Sequence, residues 1–315
     1  MSQYEPAYLK LLENGELERR VEAAYEQHLR SCDLCAWGCG VDRRAGKLGV
    51  CKTGELARVS SYFPHLGEED CLRGWRGSGT IFFSRCNLRC LYCQNYEISA
   101  LGQGEDVEPE DLAAMMLELQ AQGCHNINFV SPSHVVAQIL AGVLIAARAG
   151  LRLPLVYNTG GYDSPAALAL LDGVIDIYMP DIKYGDAAIA RRYSNIPDYP
   201  HHNRLALQEM HRQVGDLVID PETGLARRGL LVRHLVLPGG LAGTRECMRF
   251  LAGLSRDTYV NIMGQYRPAY RAARQDMGPL SRPVTAAEVA EARRIAREEG
   301  LHRFDERRSF AFLVG

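Results

Sequence analysis

Thr80-Ile-Phe-Phe-Ser84, then Arg85, then Cys86-Asn-Leu-Arg-Cys90-Leu-Tyr-Cys93 is the stretch that decides how this chain is read. The first five residues form a short apolar run of β-branched and aromatic side chains, the composition of a buried strand. Three cysteines follow in the segment that leaves it. Spaced i, i+4 and i+7, they would share one face of a helix. Asn87, Arg89 and Asn95 lie among them, which makes a buried helical face a poor reading. A loop presenting three sulfurs at the end of a strand fits better.

From Gly79 onward, short apolar runs alternate with helical patterns. Candidate strands are Thr80–Ser84, Asn126–Val130, Pro154–Tyr157, Val174–Tyr178, Leu230–Leu237 and Thr258–Met263. Between or after them come helix candidates at Pro109–Gln122, Ser133–Ala149, Ser164–Leu171, Asn203–Val214, Thr244–Leu254 and Thr285–Gly300. Serial β/α units predict an α/β fold with a parallel sheet, curled by right-handed crossovers into an open or closed barrel. Functional groups then belong at the C-terminal strand ends.

The part before Gly79 reads differently. Tyr4–Leu29 has the spacing of a solvated amphipathic helix, Ser31–Thr53 is rich in Cys and Gly without periodicity, and Ser60–Gly79 reads as a connecting loop. The expected division is an N-terminal helical and Cys-rich metal-binding extension at 1–75 and the barrel at 76–315.

Composition narrows the function. The chain has 315 residues, 47% hydrophobic, and a net charge of -2, which gives no electrostatic reason to expect nucleic acid. No apolar run reaches membrane-spanning length, since Val135–Leu151 is interrupted by Gln138 and Arg148. The first residues show no apolar core of a signal peptide. A soluble, cytoplasmic protein without membrane partners is expected. Ten cysteines without export features suggest metal or catalytic ligands rather than a disulfide framework. Cys71, Cys124 and Cys247 are scattered and read as small buried hydrophobes.

Iron–sulfur clusters are held by cysteine thiolates, normally four per 4Fe–4S unit. Cys86, Cys90 and Cys93 supply three and would leave one iron open, the mark of a reactive site. S-adenosylmethionine (SAM) can chelate such an iron, and an electron from the cluster then cleaves its sulfonium bond. A three-cysteine zinc site is the alternative. The second group, Cys32, Cys35, Cys39 and Cys51, supplies four thiolates, enough to close a structural zinc site or an auxiliary 4Fe–4S cluster. Polar residues recur after the strands: Asn128, Ser131, Ser133 and His134; Asn158, Thr159 and Gly160-Gly161; Asp181 and Lys183; Arg233 and His234; Gln265 and Tyr266. That recurrence is what an active-site rim at one barrel end predicts.

At this point the chain resembles a family. Cys86-Asn-Leu-Arg-Cys90-Leu-Tyr-Cys93 matches the CxxxCxxC signature of the radical SAM superfamily. Arg76–Ser84, Cys93–Ser99, Val156–Tyr162, Asp176–Tyr184, Arg228–Gly239, Asn261–Tyr266 and the Cys32–Cys35 segment look like its pyruvate formate-lyase activating enzyme-like branch. The resemblance implies a partial (β/α)6 TIM-like barrel with SAM across the strand ends. It implies Tyr92 near the adenine, Arg233 at the SAM carboxylate and Asp181 and Lys183 lining the site. Asn158 and Thr159 fall where activating enzymes carry an Asp-Thr pair that helps hold a monovalent cation; neutral Asn158 suits such an ion poorly. A Gly-Gly-Glu stretch that takes the SAM amino group is absent, so Asn128, Ser131 or Ser133 would take that role, and Gln265 is a further cofactor-site candidate. Three functions follow: activation of a protein partner at a backbone glycine, radical chemistry on a small molecule or peptide, or a closed iron–sulfur or zinc protein. Either enzyme would need an electron donor such as flavodoxin or ferredoxin.

Overall fold

Six parallel strands carry the architecture, and their alternation separates a packed face from a barrel interior. The computed structural model describes residues 4–306. Its strands are β1 (Ala57–His65), β2 (Ser78–Phe83), β3 (Glu105–Val107), β4 (Ile127–Val130), β5 (Leu155–Thr159), β6 (Ile177–Pro180), β7 (Val218–Ile219), β8 (Ala226–Leu235), β9 (Tyr259–Met263) and β10 (Arg303–Phe304). The helices are α1 (Tyr8–Glu13), α2 (Glu16–Ala23), α3 (Asp70–Arg73), α4 (Tyr96–Ser99), α5 (Pro109–Ala121), α6 (Val136–Arg148), α7 (Pro165–Leu171), α8 (Ala187–Ser194), α9 (Tyr199–Val214), α10 (Thr244–Leu254) and α11 (Ala286–Glu298). The sheet order is β10-β9-β8-β6-β5-β4-β2-β1-β3, with β7 on β8. The run β2-β4-β5-β6-β8-β9 is parallel throughout and corresponds to the six predicted strands. This is an open, partial TIM-like barrel.

One parity of each strand faces the helices. Ile81, Phe83, Ile127, Phe129, Leu155, Tyr157, Leu230, Val232, Val260 and Ile262 join the main core with the inner faces of α5 and α6. The opposite parity faces inward, because successive side chains alternate across a strand. Val156, Ile177, Met179 and Leu231 pack there with Cys71 and Leu72 of α3. α3 thus plugs the N-terminal end, and Asn126 Nδ2 donates to the Leu72 carbonyl at 2.8 Å. Two residues further along the same parity the interior turns polar, from Val156 to Asn158, Met179 to Asp181 and Leu231 to Arg233. The site sits at that change.

Three expectations are corrected. The connector at Ser60–Gly79 is not a loop: β1 pairs antiparallel with β2, so the sheet begins at Ala57, and α3 lies in the same span. Pro64 hid a strand whose burial alternates weakly. The single N-terminal helix is broken at Gly15, which has φ +71°, and ends in a π turn at Ala24–His28. The fourth strand lies at Ile177–Pro180, leaving Val174 and Ile175 buried in the turn before it. The N-terminal helices pack on α6 and are tied down by buried Asp176, which accepts from Tyr4 Oη at 2.7 Å and from the Ala7 and Leu155 N–H groups. The barrel was expected to run to 315; residues 307–315 lie outside those described. Among the described residues, no helix is long and apolar enough to cross a membrane.

Candidate active site at the strand ends

The cysteine loop leaves β2 with no regular structure of its own and is fixed by its neighbours. Leu91 N–H donates to the Tyr193 carbonyl at the end of α8 (2.9 Å), while the Leu91 carbonyl accepts from Arg271 and Ala272. Cys86, Cys90 and Cys93 all line one cavity of about 420 Å³. Leu88 N–H points at Cys86 Sγ (3.4 Å), Ser194 Oγ lies 3.0 Å from Cys90 Sγ, and Ser99 Oγ lies 3.2 Å from Cys93 Sγ. Burial pushes the Cys86 thiol up to about 12, and its neighbours Cys90 and Cys93 add to that. Cys90 is raised for the same first reason, with Lys183 pulling the other way. A metal centre must therefore displace protons from these sulfurs as it binds.

Facing the loop, strand ends β5, β6 and β8 contribute Asn158, Thr159, Asp181, Lys183 and Arg233 to the same cavity. Asp181 is the hub. Its Oδ1 accepts from Arg233 Nε at 3.0 Å and its Oδ2 from Lys183 Nζ at 2.5 Å, while Arg233 Nη2 donates to Asn158 Oδ1 at 2.6 Å. Burial works to raise the Asp181 carboxyl, but Arg233 and Lys183 outweigh it and hold it below the ordinary range. Burial likewise opposes charge on Lys183, and Asp181 more than restores it. All three are ionised, leaving one cation in surplus over Asp181 at the cavity wall. Such a surplus suits a carboxylate.

The remaining candidates divide. Ser131 lines the cavity with φ +60°, a conformation that is uncommon outside glycine and is concentrated at functional sites. Ser133 is instead bound to Thr159 (2.8 Å), and Thr159 donates to buried Asp163 (2.7 Å), so these hydroxyls are engaged in a network below the cavity wall. Asn128 is fully buried in β4, not on the cavity lining, and neither amide atom has a partner. Tyr92 lies off the lining too: it sits in a tyrosine-rich cluster, edge-on to Tyr266 at 5.8 Å. Gln265 lines a different cavity, beside Arg293 and Arg297. His134 and His234 are buried and hydrogen-bonded within the fold.

The N-terminal cysteines lie beside this site. Cys32, Cys35 and Cys51 are buried, and Cys51 with Val50 and Lys52 forms part of the same cavity wall. Arg89 of the cysteine loop donates to the Val50 carbonyl at 2.6 Å, and Trp37 Nε1 donates to the Asn87 carbonyl at 2.7 Å. Arg43, almost wholly buried, bonds the Gly54 and His134 carbonyls and lies 3.8 Å from Cys32 Sγ. Nothing in the sequence signals Arg43, Asp163 or Ser194; Arg43 reaches His134 and Ser194 reaches Cys90 across 91 and 104 positions of the chain. Among the described residues, no three His, Cys, Asp or Glu side chains converge tightly enough for a single metal ion. A cubane offers its irons at separate corners and does not need such convergence. Soft donors only, on one loop, facing an open cavity with a cationic far wall, suit a 4Fe–4S cluster with SAM beside it.

Residues 80–215 match the family model of the Radical SAM superfamily. The match begins inside β2 and includes all three loop cysteines. Over 295 residues the chain is 28% identical to the uncharacterized protein MJ0674 of Methanocaldococcus jannaschii, covering 90% of this chain and 79% of that one. Among solved structures it is similar to a radical SAM methyltransferase from Sphaerobacter thermophilus, with 16% identity, TM-score 0.46, and 94% and 91% of the two chains covered. SuiB of Streptococcus suis bound to S-adenosylmethionine is a looser likeness, with 10% identity, TM-score 0.44, and 70% and 47% covered.

Proposed function

We propose that this chain is a radical SAM enzyme acting on an external substrate presented at the mouth of the barrel. One observation carries the reading: three loop thiols and the charged ends of three separate strands line a single cavity. Cys86, Cys90 and Cys93 would hold the cluster, which would supply the electron for reductive cleavage of SAM to methionine and a hydrogen-abstracting 5′-deoxyadenosyl radical. Arg233, held by Asp181 and Asn158, is the residue for the SAM carboxylate, and Ser131 is the nearest candidate for its amino group. Lys183 keeps the wall cationic next to Cys90. The fully buried apolar interior beneath this layer excludes water from below.

The cavity, about 420 Å³, is near the lower end of ligand pockets at about 300–1,000 Å³, so SAM would take most of it. That favours a substrate reaching in from outside, such as a backbone glycine on a polypeptide, over a small molecule enclosed with SAM. Flavodoxin or ferredoxin is the class of electron donor such a site needs. The test is anaerobic reconstitution, reduction and addition of SAM. Wild type should release 5′-deoxyadenosine, and Cys90→Ala should release none while Cys124→Ala is unchanged. Equal release from wild type and Cys90→Ala would remove the proposal. Deuterium moving into 5′-deoxyadenosine from a labelled glycyl peptide, and not from small metabolites, would select the polypeptide substrate.

A further inference from the structure

Behind Cys90 runs a continuous line of buried hydroxyls. Tyr92 Oη lies 2.6 Å from Tyr184 Oη, Tyr184 Oη lies 2.7 Å from Ser194 Oγ, and Ser194 Oγ lies 3.0 Å from Cys90 Sγ. All three hydroxyl residues are buried, Ser194 completely. They belong to the loop, the strand β6 exit and the end of α8, which the fold brings together in the tyrosine cluster.

The direction of this line follows from counting protons. A ligating Cys90 is a thiolate with no proton to give, so Ser194 must donate to it. Ser194 has one proton and, having spent it, can only accept from Tyr184. Tyr184 then accepts from Tyr92 by the same rule. Each phenol has one proton to give. The three O–H dipoles point the same way, toward the sulfur, and each polarises the next. Ser99, the hydroxyl beside Cys93, has no such line behind it among the hydrogen bonds of the described residues.

We infer that Ser194, backed by Tyr184 and Tyr92, is a positioning residue that donates to the Cys90 thiolate and raises the reduction potential of the cluster held there. This rests on the reading of Cys90 as a cluster ligand. A donor aimed at a cluster sulfur stabilises the reduced form more than the oxidised one, because reduction adds negative charge at the sulfur.

The test is a potentiometric titration of the reconstituted full chain, followed by electron paramagnetic resonance, with iron and sulfide counted in every sample. Ser194→Ala should cut the ratio of reduced to oxidised cluster at a fixed applied potential by about tenfold, about 59 mV for one electron. Tyr184→Phe keeps the ring and Ser194 and should shift the ratio in the same direction by less, and Tyr92→Phe by less again. If Ser194→Ala fails to load iron, the two Phe variants carry the test alone. A wild-type ratio in fully loaded Ser194→Ala, or in both Phe variants, overturns the inference and leaves the radical SAM reading intact. A wild-type chain that binds no cluster overturns that reading first.

Discussion

Asp181→Asn removes one charge from the centre of the site and changes almost nothing else. The amide matches the carboxylate in size, yet it leaves Lys183 and Arg233 facing each other without the group between them. Their contacts to Asp181 are 2.5 and 3.0 Å, and the Asp181, Lys183 and Arg233 side chains are only 11%, 16% and 18% exposed. Breaking a buried ion pair costs about 3–5 kcal/mol. The residual exposure through the cavity, and the attraction of Arg233 to Glu69 and Glu68, place this case at the lower end, about 3 kcal/mol. For a chain of this size that is a fall of roughly 4–5 °C in Tm. The assay is urea unfolding of the cluster-free full chain, with a thermal scan beside it. Adding Lys183→Met to Asp181→Asn should return part of the loss, because it removes the uncompensated buried cation while keeping most of the side-chain volume. Asp181→Asn within about 0.5 kcal/mol of wild type, the scatter of an ordinary surface change, would refute the reasoning. So would a double variant less stable than the single one.

Two other perturbations test the frame around the site. His234 lies with Nδ1 at 2.7 Å from the Ile182 carbonyl and Nε2 at 3.0 Å from Thr244 Oγ1, and burial lowers it to about 4. The carbonyl can only accept, so the neutral ring carries its proton on Nδ1 and Thr244 donates to Nε2. Between about pH 6.5 and pH 4 the unfolded state binds a proton that the folded state refuses, so stability is full above this window and falls as pH drops through it. Wild type should lose about 3 kcal/mol relative to His234→Gln on going from pH 7.5 to pH 4; urea curves at the two pH values with a constant difference would count against it. Gly161 has φ +76°, and a Cβ there would stand 2.4 Å from the Asp181 carbonyl oxygen and 2.2 Å from Asn203 Nδ2. Gly161→Ala should cost about 3 kcal/mol, combining left-handed strain with overpacking. Gly15→Ala, also left-handed but with only Arg19 at 3.8 Å, should cost about 1 kcal/mol; equal melting shifts for the two would discount the contact.

The part of the site that follows from strand periodicity was legible in the sequence. Asn158, Asp181 and Arg233 each sit two residues past an inward apolar residue, so once the strands are placed the polar layer follows. The cysteine loop was legible because three sulfurs after a strand have few other uses. Ser194 was not, since its helix is only eight residues long and its value lies in reaching Cys90, 104 positions away in the chain. β1 was hidden by Pro64 and by half-exposed side chains that leave little alternation to read. Tyr92, which the family resemblance places near the adenine, packs its ring in the tyrosine cluster, and its hydroxyl forms the far end of a hydrogen-bonded line.

The two cysteine groups look independent in the sequence, separated by 34 residues between Cys51 and Cys86, and the fold makes them neighbours. Cys51 lines the cavity, Arg89 holds the Val50 carbonyl, Trp37 holds the Asn87 carbonyl, and Asn87 Nδ2 in turn donates to the Tyr162 carbonyl at 2.7 Å. The loop of three cysteines is therefore braced on one side by α8 and on the other by the four-cysteine segment. Its shape depends on both.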